Sequence, residues 1–287
     1  MFIDVLKAIL FGVVEGITEW LPVSSTGHLI ILNDFIKISA NEDFVEMFNV
    51  VIQLGAILAV VLMYFKTICP FGFGKDKKER KETWNLWGKI LVACIPAAVI
   101  GILFDDLLDT YLHNGIVVSL MLIIYGIAFI VIESKGFGKQ KTDDLNKITY
   151  KQALTVGGFQ LLSLIPGTSR SGATIIGGLF AGLKRGVAAQ FTFFLAIPVM
   201  FGASLLKVAK YAKDVIDHEA AMLTNSEFVI LIVACLVAFL VSVLVIKFLM
   251  NYIRKHDFKV FGYYRIVLGI IVIGYTFITK ILPLIMG

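Results

Sequence analysis

Charged residues are scarce in this 287-residue sequence: they make up 16% of it, against 58% for hydrophobic residues. A typical soluble domain has about 25% charged residues. The mean hydropathy is +0.88, and several apolar stretches are long enough, at about 1.5 Å per residue, to cross a hydrocarbon core of about 30 Å. The composition therefore excludes a soluble protein and predicts an all-α integral membrane protein, with residues 1–287 forming a single membrane domain.

Cysteine is scarce too, with only Cys69, Cys94 and Cys235. They have no paired spacing and lie in or beside apolar segments, so we expect buried or loop thiols rather than disulfides or a cysteine metal site. Residues 1–10 lack a basic cluster and a small-residue cleavage site, so no removable signal peptide is expected. The net charge of +5 does not require nucleic acid, because the lysines collect in short loops, as in the cytoplasmic loops of membrane proteins.

Six apolar segments are predicted to be full spans: 44–65, 88–104, 113–133, 186–206, 227–250 and 261–281. Basic residues concentrate in loops 66–87, 134–151 and 251–259, whereas turn 105–112 is acidic. The positive-inside rule then places those basic loops in the cytoplasm and both termini outside, with the lysines of loop 207–226 as an exception. Trp84, Trp87, Tyr263 and Tyr264 lie near predicted span ends, where aromatic residues anchor helices at the interface. Glu133 lies at another span end and is expected at the surface.

Two further apolar segments are interrupted and too short on either side of the break to span a bilayer. They cover 1–38 and 149–183, and their centres are similar: LPVSSTG at 21–27 and IPGTSRSG at 165–172. Broken helices at membrane depth need protein or a wet cavity around them. Interrupted segments at matching places in two halves predict an inverted-topology repeat, 1–133 and 149–281, each half beginning with a re-entrant hairpin.

The first break concentrates polar chemistry in an apolar context. Glu15 and Glu19 are four residues apart and share a helix face. Pro22 ends that helix, and Ser24, Ser25 and Thr26 can cap the next one, leaving free N–H groups that suit a phosphate. His28 follows closely enough to hydrogen-bond a hydroxyl or a water. The alternative is a polar turn with solvated glutamates and a histidine satisfied in the core.

Arg170 is the outstanding residue of the second break, since an arginine deep in an apolar segment is costly unless it meets an anion. Its fork of donors fits two phosphate oxygens. The alternative is an ion pair with Glu15 or Glu19, which would still let the arginine exchange partners. Ser169, Ser171 and Thr174 either donate to a phosphate or are small residues that let helices pack closely.

Donors alone would bind a phosphate, but the added carboxylates repel it unless a divalent cation bridges the charges. We therefore expect Mg²⁺ or Ca²⁺ on Glu15 and Glu19, and metal-assisted phosphoryl chemistry.

The runs GVVEGITEWLPVSSTGH at 12–28 and PGTSRSG at 166–172 closely resemble the undecaprenyl-diphosphate phosphatase family, the bacitracin-resistance proteins of bacterial inner membranes. The resemblance covers essentially the full length. It implies hydrolysis of a C55 polyprenyl diphosphate to the monophosphate for peptidoglycan synthesis, a divalent cation, a site that opens to the outer side, and resistance to bacitracin. It also implies catalytic roles for Glu15, Glu19, Ser25, His28 and Arg170.

Several alternatives stay open at this point. Ser25 either attacks the terminal phosphorus with help from His28, or orients it for attack by water, and one of the two glutamates is an alternative base. Ser24, Thr26, Ser169, Ser171, Thr174 and Arg170 are the candidates for binding phosphate. Inverted repeats with broken helices also build transporters, so a flippase for an anionic lipid is the alternative function. The sequence leaves the oligomeric state open, with a homodimer as one alternative.

Overall fold

The structure, a computed structural model, describes residues 2–38, 40–72, 74–112, 114–137, 142–218 and 220–281. Within these ranges the chain is helical apart from loops and one isolated bridge between Thr142 and Leu183. The helices are α1 (Phe2–Thr18), α2 (Ser25–Phe35), α3 (Glu42–Met63), α4 (Phe65–Ile68), α5 (Lys77–Leu112), α6 (Gly115–Ser134), α7 (Tyr150–Leu161), α8 (Arg170–Phe180), α9 (Arg185–Ile216), α10 (Asn225–Tyr252) and α11 (Lys259–Thr276). Some predicted elements extend beyond the described ranges. These are residue 1 of the predicted hairpin 1–38, residue 113 of the predicted span 113–133, and residues 138–141 of the predicted loop 134–151.

Six of these helices, α3, α5, α6, α9, α10 and α11, are long and apolar enough to cross a membrane. They correspond in order to the six predicted spans, so the prediction of an all-α, multi-pass membrane protein is confirmed. Their outward faces carry apolar side chains, as on α10, where Leu236, Leu240 and Leu244 are 56%, 54% and 68% exposed. Spacing by four residues puts these leucines on one helix face, as a lipid-facing surface requires.

Two predicted spans have wrong boundaries, because the helix continues where the hydrophobic sequence stops. α5 begins at Lys77 rather than at 88, and residues 105–112, predicted as a turn, are helical to Leu112. The start of α5 is fixed by two reciprocal hydrogen bonds. Asp76 N donates to Glu79 Oε2 at 2.9 Å, and Glu79 N donates to Asp76 Oδ1 at 2.7 Å. The charged residues that follow are good helix formers. α9 likewise continues to Ile216, so the first part of loop 207–226 is helical.

The two interrupted segments form two helical hairpins. In the first, Lys7 Nζ of α1 donates to the carbonyl of Lys37, just beyond α2, at 2.7 Å. In the second, Gln152 Nε2 of α7 donates to the carbonyl of Ala181, just beyond α8, at 3.0 Å. Each hairpin therefore returns to the end of the bundle where it started.

The hairpins enter the bundle from opposite ends. The first leads directly into the start of α3, while α7 begins beside the start of α5, where Tyr150 Oη donates to Asn85 Oδ1 at 3.2 Å. Since α3 and α5 are consecutive spans, their starts lie at opposite ends. The breaks at 21–27 and 165–172 form the first and second tips of the two hairpins. The tips meet between the two ends of the bundle, with Ser171 Oγ 3.4 Å from the carbonyl oxygen of Leu21. The re-entrant position of the hairpins in a bilayer, and the repeats 1–133 and 149–281, stay predictions.

Small residues let the first helix of each hairpin approach a span closely. A Cβ at Gly16 of α1 would lie 2.8 Å from the carbonyl oxygen of Ala238 on α10, and one at Gly157 of α7 would lie 2.4 Å from that of Ala93 on α5. Both distances are too short for a side chain. Such contacts are typical of helix packing in membranes, where small residues bring backbones together.

Glu133 lies inside the protein, so its predicted surface position is wrong. Its side chain accepts two bonds from Arg185, at 2.9 Å from Nε and 2.6 Å from Nη2, and a third from the backbone N–H of Phe258 at 3.1 Å. These bonds join the end of α6 to the starts of α9 and α11. Proximity to Lys135 in sequence gave no sign of this more distant partner.

Candidate active site

Ser24 and Ser169 shape the two tips in the same way. Ser24 has φ 75° and accepts a bond from the N–H of Gly27 at 3.3 Å, and Ser169 has φ 69° and accepts from the N–H of Gly172 at 3.1 Å. Positive φ is unfavourable for residues other than glycine and costs about 1–3 kcal/mol. In the described ranges only one other non-glycine residue, His218, has it. The two strained serines start α2 and α8, so two helix N-termini with unpaired N–H groups lie at tips that touch.

A chain of side-chain bonds crosses from one tip to the other. Arg170 Nη2 donates to Glu19 Oε1 at 2.5 Å, and Ser25 Oγ donates to Glu19 Oε2 at 2.9 Å. The Arg170 and Glu19 side chains are 12% and 7% exposed. Both tips are needed for this arrangement, because the arginine belongs to the second and the other two residues to the first. The ion pair expected as an alternative is therefore present, and it forms with Glu19.

Arg170 is not fully occupied by this pair. Its other terminal nitrogen, Nη1, has only a 3.5 Å contact with the carbonyl oxygen of Thr192, and Nη2 also lies 3.4 Å from Met200 Sδ. A guanidinium with donors to spare can bind an additional oxygen anion. The geometry thus allows the arginine to exchange partners.

Glu15 lies one turn before Glu19 on α1. Its side chain is completely buried, and neither carboxylate oxygen has a hydrogen-bond partner in the described ranges. Its ionisable neighbours are Glu19, whose carboxyl group lies close enough to interact with it directly, and Arg170. A buried carboxylate without a partner is costly, which indicates a group that it binds.

The donor set fits a divalent cation that also contacts a substrate. In the described ranges no three His, Cys, Asp or Glu side chains form a ready-made metal site. Mg²⁺, however, is commonly held by one or two carboxylates together with substrate phosphates and waters. The unpartnered oxygens of Glu15 beside Glu19 match that pattern.

The predicted phosphate-binding hydroxyls differ in how free they are. Thr174 is fully buried and donates to the carbonyl of Arg170 at 2.8 Å, which favours a packing role. Ser171 is also buried and shares a 3.1 Å contact with Ser169 Oγ. Thr26 is half-buried and makes no side-chain hydrogen bond in the described ranges. Of this group, Thr26 is the most available donor and Thr174 the least.

His28 makes no hydrogen bond to Ser25. Its Nδ1 lies 2.7 Å from the carbonyl oxygen of Ser24, and its Nε2 lies 2.6 Å from Tyr264 Oη. Ser25 instead has Glu19 as its partner. In this geometry the base next to the serine hydroxyl is a carboxylate, whereas the sequence left the choice between His28 and the glutamates open.

Arg265 is a site residue that the sequence analysis missed. It is completely buried and donates to the carbonyls of Pro22 at 3.2 Å, Gly167 at 2.8 Å and Thr168 at 2.8 Å. These carbonyls belong to both tips, so one side chain of α11 joins them. Every residue has a backbone carbonyl, so the acceptors of this arginine cannot be recognised from the sequence. Only the positive charge of Arg265 inside the predicted span 261–281 could have indicated its role.

The chain matches a known family along most of its length. Residues 8–271 match the family described as "Bacitracin resistance protein BacA".

Curated relatives carry the name undecaprenyl-diphosphatase. A protein from Enterococcus faecalis is 56% identical over 276 residues, which cover 96% of this chain and 98% of the relative. One from Streptococcus thermophilus is 57% identical over 95% of this chain and 93% of the relative. A third, from Desulfitobacterium hafniense, is 55% identical over 95% of this chain and 96% of the relative.

These matches span both tips and all six membrane-spanning helices. The chain therefore belongs to the bacitracin resistance protein BacA family.

Proposed function

We propose that this protein is a membrane phosphatase that removes the terminal phosphate from undecaprenyl diphosphate, leaving the monophosphate carrier and inorganic phosphate. The observation that carries the proposal is the chain of bonds from Arg170 through Glu19 to Ser25 across the touching tips. It brings an anion-binding fork, a base and a hydroxyl to one place inside a membrane bundle. The relatives named above are undecaprenyl-diphosphatases, in agreement with this chemistry.

Arg170 and the N-termini of α2 and α8 would bind the diphosphate. Arg170 exchanges its bond to Glu19 for phosphate oxygens, which suit its planar fork of donors. The hydroxyls of Thr26 and Ser169 and the amides of the first helical turns supply further donors. These groups meet charge that spreads over the phosphoryl oxygens in the transition state, where electrostatic stabilisation is most effective.

Ser25 would be the nucleophile and Glu19 its base. Once Arg170 moves to the phosphate, Glu19 accepts the proton of the Ser25 hydroxyl and Oγ attacks the terminal phosphorus. The Oγ–P bond forms as the bond from phosphorus to the bridging oxygen breaks, and the lipid monophosphate leaves. Water then hydrolyses the phosphoserine and releases phosphate. A serine needs such an adjacent base, because its hydroxyl alone is a weak nucleophile.

Glu15, together with the Glu19 oxygen that Arg170 vacates, would hold Mg²⁺ or Ca²⁺, while Glu19 Oε2 stays next to Ser25 as the base. A bound cation neutralises charge on the phosphoryl oxygens and helps to orient them. The carboxylate of Glu15 would then no longer be a buried charge without a partner.

The proposed location is the bacterial inner membrane, with the site open to the outer side. Support for the orientation of the bundle comes from the end that carries the predicted basic loops. There, Asn146 Nδ2 donates to Glu82 Oε2 at 3.2 Å, so segments 74–87 and 142–149 lie at the same end. By the positive-inside rule this end faces the cytoplasm. The lipid tail would lie along the apolar outer surface, and bacitracin resistance follows from consuming the diphosphate that bacitracin sequesters. A homodimer stays a prediction.

The direct test is phosphate release by purified protein from farnesyl diphosphate in detergent with Mg²⁺. We expect steady turnover that stops when the divalent cations are chelated and returns when Mg²⁺ is added back. A flippase would move the intact lipid between leaflets of a proteoliposome and release no phosphate. That outcome would contradict the proposal.

Substituting Ser25 by alanine tests the covalent step. We expect Ser25→Ala to lose at least about 10²-fold in kcat, because the nucleophile is absent. Rapid acid quench of the wild-type reaction with labelled diphosphate should trap phosphate on Ser25. Near-normal turnover by Ser25→Ala would instead assign the attack to water. Ser163→Ala is a matched control, since Ser163 only donates to the carbonyl of Gln160 in its own helix region at 2.6 Å.

A further inference from the structure

We propose that Tyr264 is a positioning residue for His28, whose ring it holds in one orientation through a hydrogen bond to Nε2 between α11 and α2. The inference rests on the proposed phosphatase activity for its kinetic consequence, although its structural part can be tested without turnover. The sequence predicts that Tyr264 anchors α11 at the interface, but its hydroxyl contacts the His28 imidazole of the first hairpin.

The two bonds of His28 define the tautomer. The carbonyl oxygen of Ser24, 2.7 Å from Nδ1, can only accept, so Nδ1 carries the hydrogen. In a neutral imidazole Nε2 then has the lone pair, and the Tyr264 hydroxyl at 2.6 Å donates to it. Which nitrogen of a histidine is available for proton transfer depends on the hydrogen bond made by the other.

The rings also hold each other in place. Those of His28 and Tyr264 are nearly parallel, with an angle of 7° and a centroid separation of 5.7 Å. Their residues are 236 positions apart in the chain, so the contact depends on the packing of α2 beside α11. The next residue on α11 is Arg265, which binds the carbonyls of both tips. On one turn of α11, Arg265 therefore positions the backbone of both tips and Tyr264 positions the imidazole of His28.

Tyr264 is placed so that it can release His28. Its side chain is 47% exposed, whereas the neighbouring Arg265 is completely buried. When the diphosphate enters, the hydroxyl can move aside and leave Nε2 free, already in the tautomer that accepts a proton. His28 would then accept a proton from the water that attacks the phosphoserine. This proton would pass from His28 to the released phosphate.

Tyr264→Phe removes the hydroxyl and keeps the ring. We expect kcat for farnesyl diphosphate to fall about ten- to a hundredfold, the range known for groups that orient a metal-bound histidine, with KM nearly unchanged. The matched control is Tyr263→Phe, because Tyr263 is 57% exposed and its hydroxyl makes no hydrogen bond in the described ranges. It should keep wild-type kcat.

The readout independent of activity is the ¹⁵N spectrum of histidine-labelled protein in nanodiscs, in which the His28 signals are those missing from His28→Gln. We expect wild-type protein, Tyr263→Phe and Tyr264→Phe all to show His28 with hydrogen on Nδ1, because the Ser24 carbonyl is unchanged. In Tyr264→Phe alone, the Nε2 signal should move downfield, as for an acceptor nitrogen that has lost its hydrogen bond. An unchanged Nε2 signal in Tyr264→Phe would overturn the proposal, whatever its kcat. So would an equal loss of kcat in the two phenylalanine variants. Failure of the wild-type protein to release phosphate would contradict the proposed function and leave the ¹⁵N test intact.

Discussion

Replacing Arg170 by alanine should lower kcat/KM about 10³- to 10⁵-fold, which is the range known for arginines that stabilise a transferring phosphoryl group. The side chain belongs to the second tip, reaches Glu19 of the first, and has a terminal nitrogen with no strong partner. No other arginine is within hydrogen-bonding distance of Glu19 or Ser25 in the described part of the chain. Arg170→Lys keeps the charge but loses the fork, so it should still lose about 10²-fold, as when one oxyanion donor is removed.

The control for this substitution is a second arginine on a buried carboxylate. Arg185 binds Glu133 through two nitrogens, at the end of the bundle where α6 stops and α9 starts. Arg185→Lys should lower the midpoint of thermal unfolding, since a planar bidentate pair is lost, while kcat stays close to wild type. Turnover by Arg170→Ala within a few-fold of wild type would remove this residue from the site. An equal loss in Arg185→Lys would reduce the effect to one of folding.

Replacing Glu15 by glutamine should affect activity and stability in opposite directions. Its carboxylate is completely buried with two unpartnered oxygens, and a neutral amide is less costly to bury than a carboxylate. In chelator, Glu15→Gln should therefore unfold at a higher temperature than wild type. Its kcat with Mg²⁺ should fall at least about 10²-fold, because a bound cation supplies several kcal/mol of transition-state stabilisation.

Glu133→Gln is the matched control, since this buried carboxylate has three donors. It should unfold at a lower temperature and keep its kcat once folded. The two substitutions are the same chemical change in buried carboxylates, one without partners and one with several. If Glu15→Gln destabilises the metal-free protein as Glu133→Gln does, or keeps full activity, Glu15 is a structural residue.

The bundle could be predicted because its main determinant is hydrophobicity over long segments. All six spans correspond to apolar runs of about the length that a membrane-spanning helix needs. The ends of α5 and α9 could not be predicted in this way, because good helix formers and a capping pair such as Asp76 and Glu79 extend a helix into polar sequence.

The candidate site could be located from the sequence because ionisable and hydroxyl side chains are rare in apolar segments. The placement of Arg170 beside Glu19 agrees with that expectation. The partners of His28 and Arg265 could not be predicted, since Tyr264 resembles an interface anchor and carbonyl acceptors carry no residue identity. Both contacts depend on α11 lying beside the tips, which is a property of packing. The catalytic roles of the named residues stay predictions that the substitutions above test.

The central claim is that groups from both tips act on one terminal phosphate. It can be tested by solid-state NMR of protein with ¹³C-labelled arginine and a bound, non-hydrolysable farnesyl methylenediphosphonate, measuring the distance from the Arg170 guanidinium carbon to phosphorus. Assignment comes from the signal that is lost in Arg170→Lys. We expect a separation of about 4 Å, as a hydrogen-bonded guanidinium and phosphate require. If the diphosphonate is bound but its phosphorus does not dephase the ¹³C signal of the Arg170 guanidinium, the account is contradicted.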